Sequence, residues 1–239
     1  MKKLGIFVGL IVLVLGAIVV GKTLSHPFAK LSAEQPEPLK IPVSEQSVKR
    51  FATGLQYNTV SYIDSASNSF PVYDSFRLYL REAYPRVFSI LKDTLINGHQ
   101  LLLVWKGSNP SLKPLLFLSH YDVVAPGDHE HDTDAIGQNM FDMSEDPAPL
   151  PTEEFSKWNY PPFSGAVTEG RIHGRGAIDM KGVVFALLES VDTLLAQQFV
   201  PQRDIYIALD PDEEVGGLRG AAHLATYLKN QGIRFETIY

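Results

Sequence analysis

The chain has 239 residues and no cysteine. That absence removes disulfides, thiolate zinc sites and cysteine nucleophiles together, and leaves the redox compartment open. A basic surplus is also lacking, since 21 Lys+Arg stand against 27 Asp+Glu for a formal charge of −6. Phosphate binding needs a basic face, so nucleic acid is not expected as a partner. The 18 glycines and 16 prolines show no triplet period, and 45% of the residues are apolar. The chain is therefore neither collagen-like nor wholly disordered.

Acid is missing from residues 1–30, which hold Lys2, Lys3, Lys22 and Lys30. Lys2 and Lys3 precede an apolar run from Leu4 to Val20, at the threshold of roughly 17 to 20 residues for a membrane-spanning helix. The run exceeds the usual core of a signal peptide, and no clear small-x-small cleavage site follows before Pro27. Residues 1–24 are accordingly read as an uncleaved single-pass anchor, with a cleaved signal peptide and secretion as the alternative. The short N-terminus is expected inside, and the remainder outside the cytoplasm. Residues 25–49 contain four prolines and no hydrophobic period, which reads as a stalk.

Beyond the stalk, Val72–Tyr84 carries mixed helical spacing. Gln100–Trp105 and Leu115–Ser119 are short apolar runs that read as buried strands. Val184, Leu187, Leu188, Val191, Leu194 and Leu195 recur with the helical period, predicting a helix from Gly182 to about Gln198. Ile205, Ile207 and Leu209 alternate as a strand. A helix follows around Ala221–Leu228, and another strand begins near Phe235. This order predicts an α/β fold with a mostly parallel sheet flanked by helices. Lys and Arg are absent from Asp128 to Glu154, a stretch with nine acids, so 128–151 reads as an acidic, solvated loop despite its HEHDTD ligand types.

Three reactive clusters fall where strands end or helices begin: His120-Tyr121-Asp122, Asp179, and Asp212-Glu213-Glu214. In α/β sheets chemistry gathers beyond the carboxyl ends of strands. Each cluster alone has an ordinary reading, as a structural histidine, a cap for the helix at Gly182, or a solvated acidic run. Jointly they offer nitrogen and oxygen ligands without sulfur, a set suited to zinc, cobalt or manganese. In an extended His-x-Asp the two side chains share a side, so Asp122 could buttress His120. Glu213 and Glu214 are adjacent, so one can hold a metal while the other serves as general base.

The stretches LLFLSHYDVVAPGD, WNYPPFSGAVTEGRIHGRGAIDMKG and IYIALDPDEEVGGLRGA resemble the zinc-dependent metallopeptidase and amidohydrolase family. That family includes carboxypeptidase S, the secreted N-acyl-amino-acid hydrolases, aminoacylase and succinyl-diaminopimelate desuccinylase. The tryptophan-containing stretch and the N-terminal anchor look most like carboxypeptidase S and its secreted relatives. The resemblance implies two divalent metal ions, with His120 holding one, Glu214 the other and Asp179 bridging them. It makes Glu213 the general base and Asp122 the supporting carboxylate in hydrolysis of an amide by a metal-activated water. Small peptides or N-acyl amino acids are the implied substrates.

The family pattern also has an Asp soon after the strand near Phe235, a His far downstream, and a smaller lid domain that could form a homodimer. None of these lies within the 239 residues. Residues 50–239 are thus expected to be the N-terminal part of a catalytic domain, inactive by itself. The competing expectation is a non-catalytic binding relative of the same fold.

Overall fold

The computed structural model describes residues 2–25, 43–63, 68–126 and 158–239. The acidic loop 128–151 and much of the expected stalk lie outside the described residues. Contacts divide the chain into residues 1–42 and 43–239. In the first unit helix α1, Lys2–Ser25, has no polar face, with a mean hydropathy of 2.5 over an 18-residue window within Gly5–Ser25. By length and composition alone it could cross a membrane.

The second unit begins with helix α2, Glu45–Gly54, capped by the Ser44 hydroxyl, which accepts from the Ser47 N–H at 3.0 Å. The helix therefore starts inside the segment read as stalk. Helices α3 (Phe70–Ala83) and α4 (Pro85–Ile90) each open on or beside a proline, where a missing N–H costs nothing. Strands β1 (Lys92–Ile96) and β2 (Gln100–Trp105) form a hairpin. Its turn carries Asn97 and Gly98 at φ of 49° and 81°, the conformation that Asn-Gly tolerates best.

Strand β3 (Leu115–His120) is followed by the small hairpin of β4 (Ala166–Thr168) and β5 (Arg171–His173). Helix α5 (Lys181–Ala196), strand β6 (Ile205–Asp210), helix α6 (Ala221–Asn230) and strand β7 (Thr237–Ile238) complete the order. The main sheet has five strands in the order β1-β2-β6-β3-β7. The helix-flanked sheet expected from the sequence is present, and it is mixed. β3 pairs in parallel with β6 and β7, whereas β2 runs antiparallel to both β1 and β6. A tight hairpin can only join antiparallel strands, so β2 alone runs against the direction set by the α5 crossover, and β1 returns to it.

Both faces of the sheet are covered, which is why β2 reads as an unbroken apolar run. Leu101, Leu103 and Trp105 join Ile207 and Leu209 beneath α3, α4 and α5, where α5 contributes Val184, Phe185, Leu188 and Val191. Leu102, Leu116 and Ala208 meet Leu224 and Leu228 of α6 on the opposite face. Burying each such side chain contributes roughly 1.5–3 kcal/mol. At Gly54 the packing is so close that a Cβ would sit 2.2 Å from the Phe185 ring.

At the end of the sheet away from His120, Asp204 joins the loop after β2 to the start of β6. Its carboxylate accepts from the Gly107 N–H at 2.7 Å and from Lys106 Nζ at 2.5 Å. Burial pushes this carboxyl up, but Lys106 and the Gly107 N–H outweigh it and hold it below its ordinary 3.8. A depressed carboxyl contributes stability above its unfolded pKa and loses it as pH falls through the folded value. Asp204→Ala should therefore cost about 1 kcal/mol near neutral pH, and urea unfolding should show the deficit shrinking as the pH drops below 3.8.

Candidate metal centre

His120 ends β3 and stands in register with Asp210, the last residue of the parallel neighbour β6. The chain leaving β6 therefore turns beside His120, and a single 3-10 turn, Glu213–Val215, places both glutamates there. The turn before α5 reaches the same end of the sheet and carries Asp179. His120, Asp179 and Glu214 offer ligand atoms that all lie within 4.8 Å of one another.

Asp122 stands behind this cluster, fully buried. One carboxylate oxygen accepts from the Glu213 N–H at 3.2 Å and lies 3.3 Å from His120 Nδ1. The other accepts from the Glu214 N–H at 3.1 Å and from the Ser61 hydroxyl at 2.6 Å. His120 Nδ1 also lies 3.1 Å from the Asp122 carbonyl oxygen. With only acceptors around it, Nδ1 carries a proton, and Nε2 is turned toward Asp179 Oδ1 at 3.1 Å and Glu213 Oε2 at 3.6 Å.

Charge is crowded here. Burial alone would lower the His120 pKa, but the hydrogen bond and charge of Asp122 push it up to about 9. Burial pushes Glu214 up to about 7, with Asp122, Asp179 and Glu213 adding to the rise and His120 opposing it. Acids packed this closely take up protons unless a cation is shared among them. The donor set, one imidazole and several carboxylates, suits a hard or borderline divalent metal.

Asp179 is not a helix cap. Helix α5 starts at Lys181 with Met180 at the cap position and no side-chain cap bond. Its turn is fastened by the Arg175 N–H to the Pro162 carbonyl at 2.7 Å and by the Lys181 N–H to the Gly176 carbonyl at 2.9 Å. The Asp179–Met180 peptide is cis. Lys181 is fully buried. Its ammonium donates to the carbonyls of Tyr57 at 2.7 Å and Gly54 at 3.3 Å, and lies 4.9 Å from the Phe76 ring centre. Burial pushes this amine down to about 7.

The third acid of the run, Asp212, turns away from the cluster and accepts from the N–H groups of Arg219 and Gly220, each at 2.8 Å. The tryptophan-containing stretch supports the site from outside. Trp158 Nε1 donates to the Pro126 carbonyl at 3.1 Å, and Gly165, at φ of 60°, lies so near α2 that a Cβ would meet the Ala52 carbonyl oxygen at 2.0 Å. Ser61 and Lys181 are the contributors the sequence reading passed over. Lys181 was visible inside the G-R-G-x-x-D-x-K-G pattern, whereas Ser61 sits in an aperiodic stretch with no local signal.

The sequence model of "Peptidase family M20/M25/M40" matches residues 148–239. The chain is 36% identical over 189 residues to "Probable carboxypeptidase S-like 2" of Dictyostelium discoideum, covering 77% of this chain and 31% of that protein. It is 31% identical over 186 residues to the Bos taurus "N-fatty-acyl-amino acid synthase/hydrolase PM20D1", covering 77% and 31%. The chain thus spans about a third of the length of these curated relatives. The fold matches a crystal structure of an M20 family metallo-carboxypeptidase from Sulfolobus solfataricus with a TM-score of 0.55 and 20% identity, covering 82% of this chain and 37% of that one.

Gly176 tests how tightly the Asp179 turn is set against the His120 segment. Its φ is 79°, and an added Cβ would lie 2.6 Å from Val123 Cγ1. Gly176→Ala should destabilise the protein by about 1–3 kcal/mol. Adding Val123→Ala should recover the steric share and leave the backbone share, as a double-mutant cycle by denaturant unfolding would show.

Proposed function

We propose that this chain, which carries a domain of peptidase family M20, works in metal-dependent hydrolysis of an amide bond. The observation that supports the reading most is the convergence of His120, Asp179 and Glu214 within 4.8 Å, on three separate elements, in front of a buried Asp122. In this reading the site takes two divalent ions, zinc before cobalt or manganese. His120, Asp179 and Glu214 would hold them, with Asp179 placed to serve both. Bound there, such ions supply positive charge that polarises a carbonyl oxygen and lowers the pKa of a water.

The protein's own groups supply the remainder. Asp122 keeps the proton on Nδ1 of His120 and so presents Nε2 to a ligand position. The Glu213 side chain is 59% exposed, and its carboxylate lies 3.6 Å from His120 Nε2, while its backbone N–H and carbonyl are held by Asp122 and the Gly216 N–H. Its Oε2 can therefore receive a proton from the attacking water and return it to the departing nitrogen. A role in binding alone would leave these crowded acids without a use.

The substrate is a small peptide or an N-acyl amino acid, in keeping with the names of the relatives. Helix α1 serves as a signal anchor that leaves the remainder outside the cytoplasm, with a cleaved signal peptide as the other use of the same helix. In this organisation residues 1–24 are the anchor, a stalk follows, and the catalytic part takes up its structure from Val43 onward. A homodimer belongs to the same proposal.

In a protein that includes the two further ligands of the family pattern, Glu213→Gln should lower hydrolysis of dipeptides and N-acyl amino acids by at least about 10²-fold while bound metal, measured by plasma mass spectrometry, stays unchanged. Activity surviving that change would remove Glu213 from its role. Zinc uptake should also be linked to pH. His120 holds its second proton up to about 9, so Nε2 must lose it to ligate, and zinc affinity should rise with pH toward that value. At pH 8, calorimetry in buffers of different ionisation heat should register release of about one proton per site.

A further inference from the structure

We infer that Ser61 is a positioning residue for the metal centre, acting through Asp122; this rests on the metal reading above. Ser61 lies on a strap that runs from the end of α2 across the site's inner side. At its start, Lys181, two residues past Asp179, grips the strap through the Gly54 and Tyr57 carbonyls. Further along, the Thr59 hydroxyl donates to the Tyr121 carbonyl at 2.5 Å. The Val123 N–H donates to the Thr59 carbonyl at 3.0 Å, and the Ser61 N–H to the Val123 carbonyl at 3.2 Å. Tyr73 closes the set by donating its hydroxyl to the Val60 carbonyl at 2.9 Å. The strap is thus fastened to both the segment bearing His120 and the turn bearing Asp179, with bonds that do not involve the Ser61 hydroxyl.

That hydroxyl has a different destination. It donates to Asp122 Oδ2 at 2.6 Å, the oxygen that also receives the Glu214 N–H. Asp122 Oδ1 serves His120 and the Glu213 N–H. Each carboxylate oxygen therefore meets two partners, and the plane of the carboxylate is set by all four. Removing the Ser61 donor leaves Oδ2 with one partner and frees the group to rotate. Such rotation would disturb the His120 Nδ1 contact and the Glu213–Glu214 turn together. Outer partners of this kind typically account for 10- to 100-fold in metal affinity.

The test compares wild type, Ser61→Ala and Ser61→Thr in a protein that includes the two further ligands of the family pattern, each stripped with chelator and then titrated with zinc, following both calorimetric affinity and thermal unfolding. Zinc binding should weaken about 10-fold in Ser61→Ala, the zinc-dependent rise in melting temperature should shrink, and Ser61→Thr should restore both. Equal losses of melting temperature with and without zinc, at unchanged affinity, would overturn the inference and leave Ser61 a structural residue. A wild type that takes up no zinc would overturn the metal reading itself, and this inference with it. Should Ser61→Ala fail to fold, Ser61→Cys keeps the shape with a weaker donor. Unchanged zinc affinity in that variant would overturn the inference equally.

Discussion

A single buried carboxylate, Asp122, decides how this end of the molecule is put together. An isolated carboxylate taken out of water is strongly disfavoured, and Asp122 is fully enclosed. It is tolerated because donors reach it from three parts of the chain: the strap through Ser61, the end of β3 through His120, and the turn after β6 through two backbone N–H groups. These segments must therefore arrive together. The same bonds that neutralise Asp122 orient the imidazole and fix both glutamates, so the stability of the core and the geometry of the cluster rest on one set of contacts.

The sheet makes this meeting possible. Because β3 and β6 are parallel neighbours, their carboxyl ends lie side by side, and the α5 crossover begins at that same end. Chemistry-bearing residues far apart in sequence thereby share one edge of the sheet. The antiparallel pair β1 and β2 adds width and core without adding a residue to the cluster. Lys181 then locks the beginning of α5 to the end of α2, using carbonyls at a helix terminus where a positive charge is favoured.

What could be read from the sequence follows from how local each signal is. β2 and β3 were legible because burial on both faces makes them short, continuous apolar runs, and α5 because its apolar residues keep a helical period. The residue types His120, Asp179 and Glu214 stood out for their positions at element ends. β1 was missed although Asn97-Gly98 marks its hairpin, since Lys92-Asp93-Thr94 obscures the apolar alternation. The start of α2 was absorbed into the stalk because prolines precede it and Ser44 is an unremarkable cap in such a context. Ser61 was beyond reach for a deeper reason. Its partner lies 61 residues away, and that partner's bond to Glu213 spans another 91. No local pattern encodes a contact that exists only once the sheet is ordered.

The bond from Trp158 Nε1 to the Pro126 carbonyl has a bearing on how such a protein can diversify. It joins the two stems of the stretch 127–157, and the Arg175 guanidinium over the indole, 5.2 Å from the ring centre, reinforces the join. With its stems held together, the stretch between them can gain, lose or exchange residues at little entropic cost and without displacing His120 or Asp179.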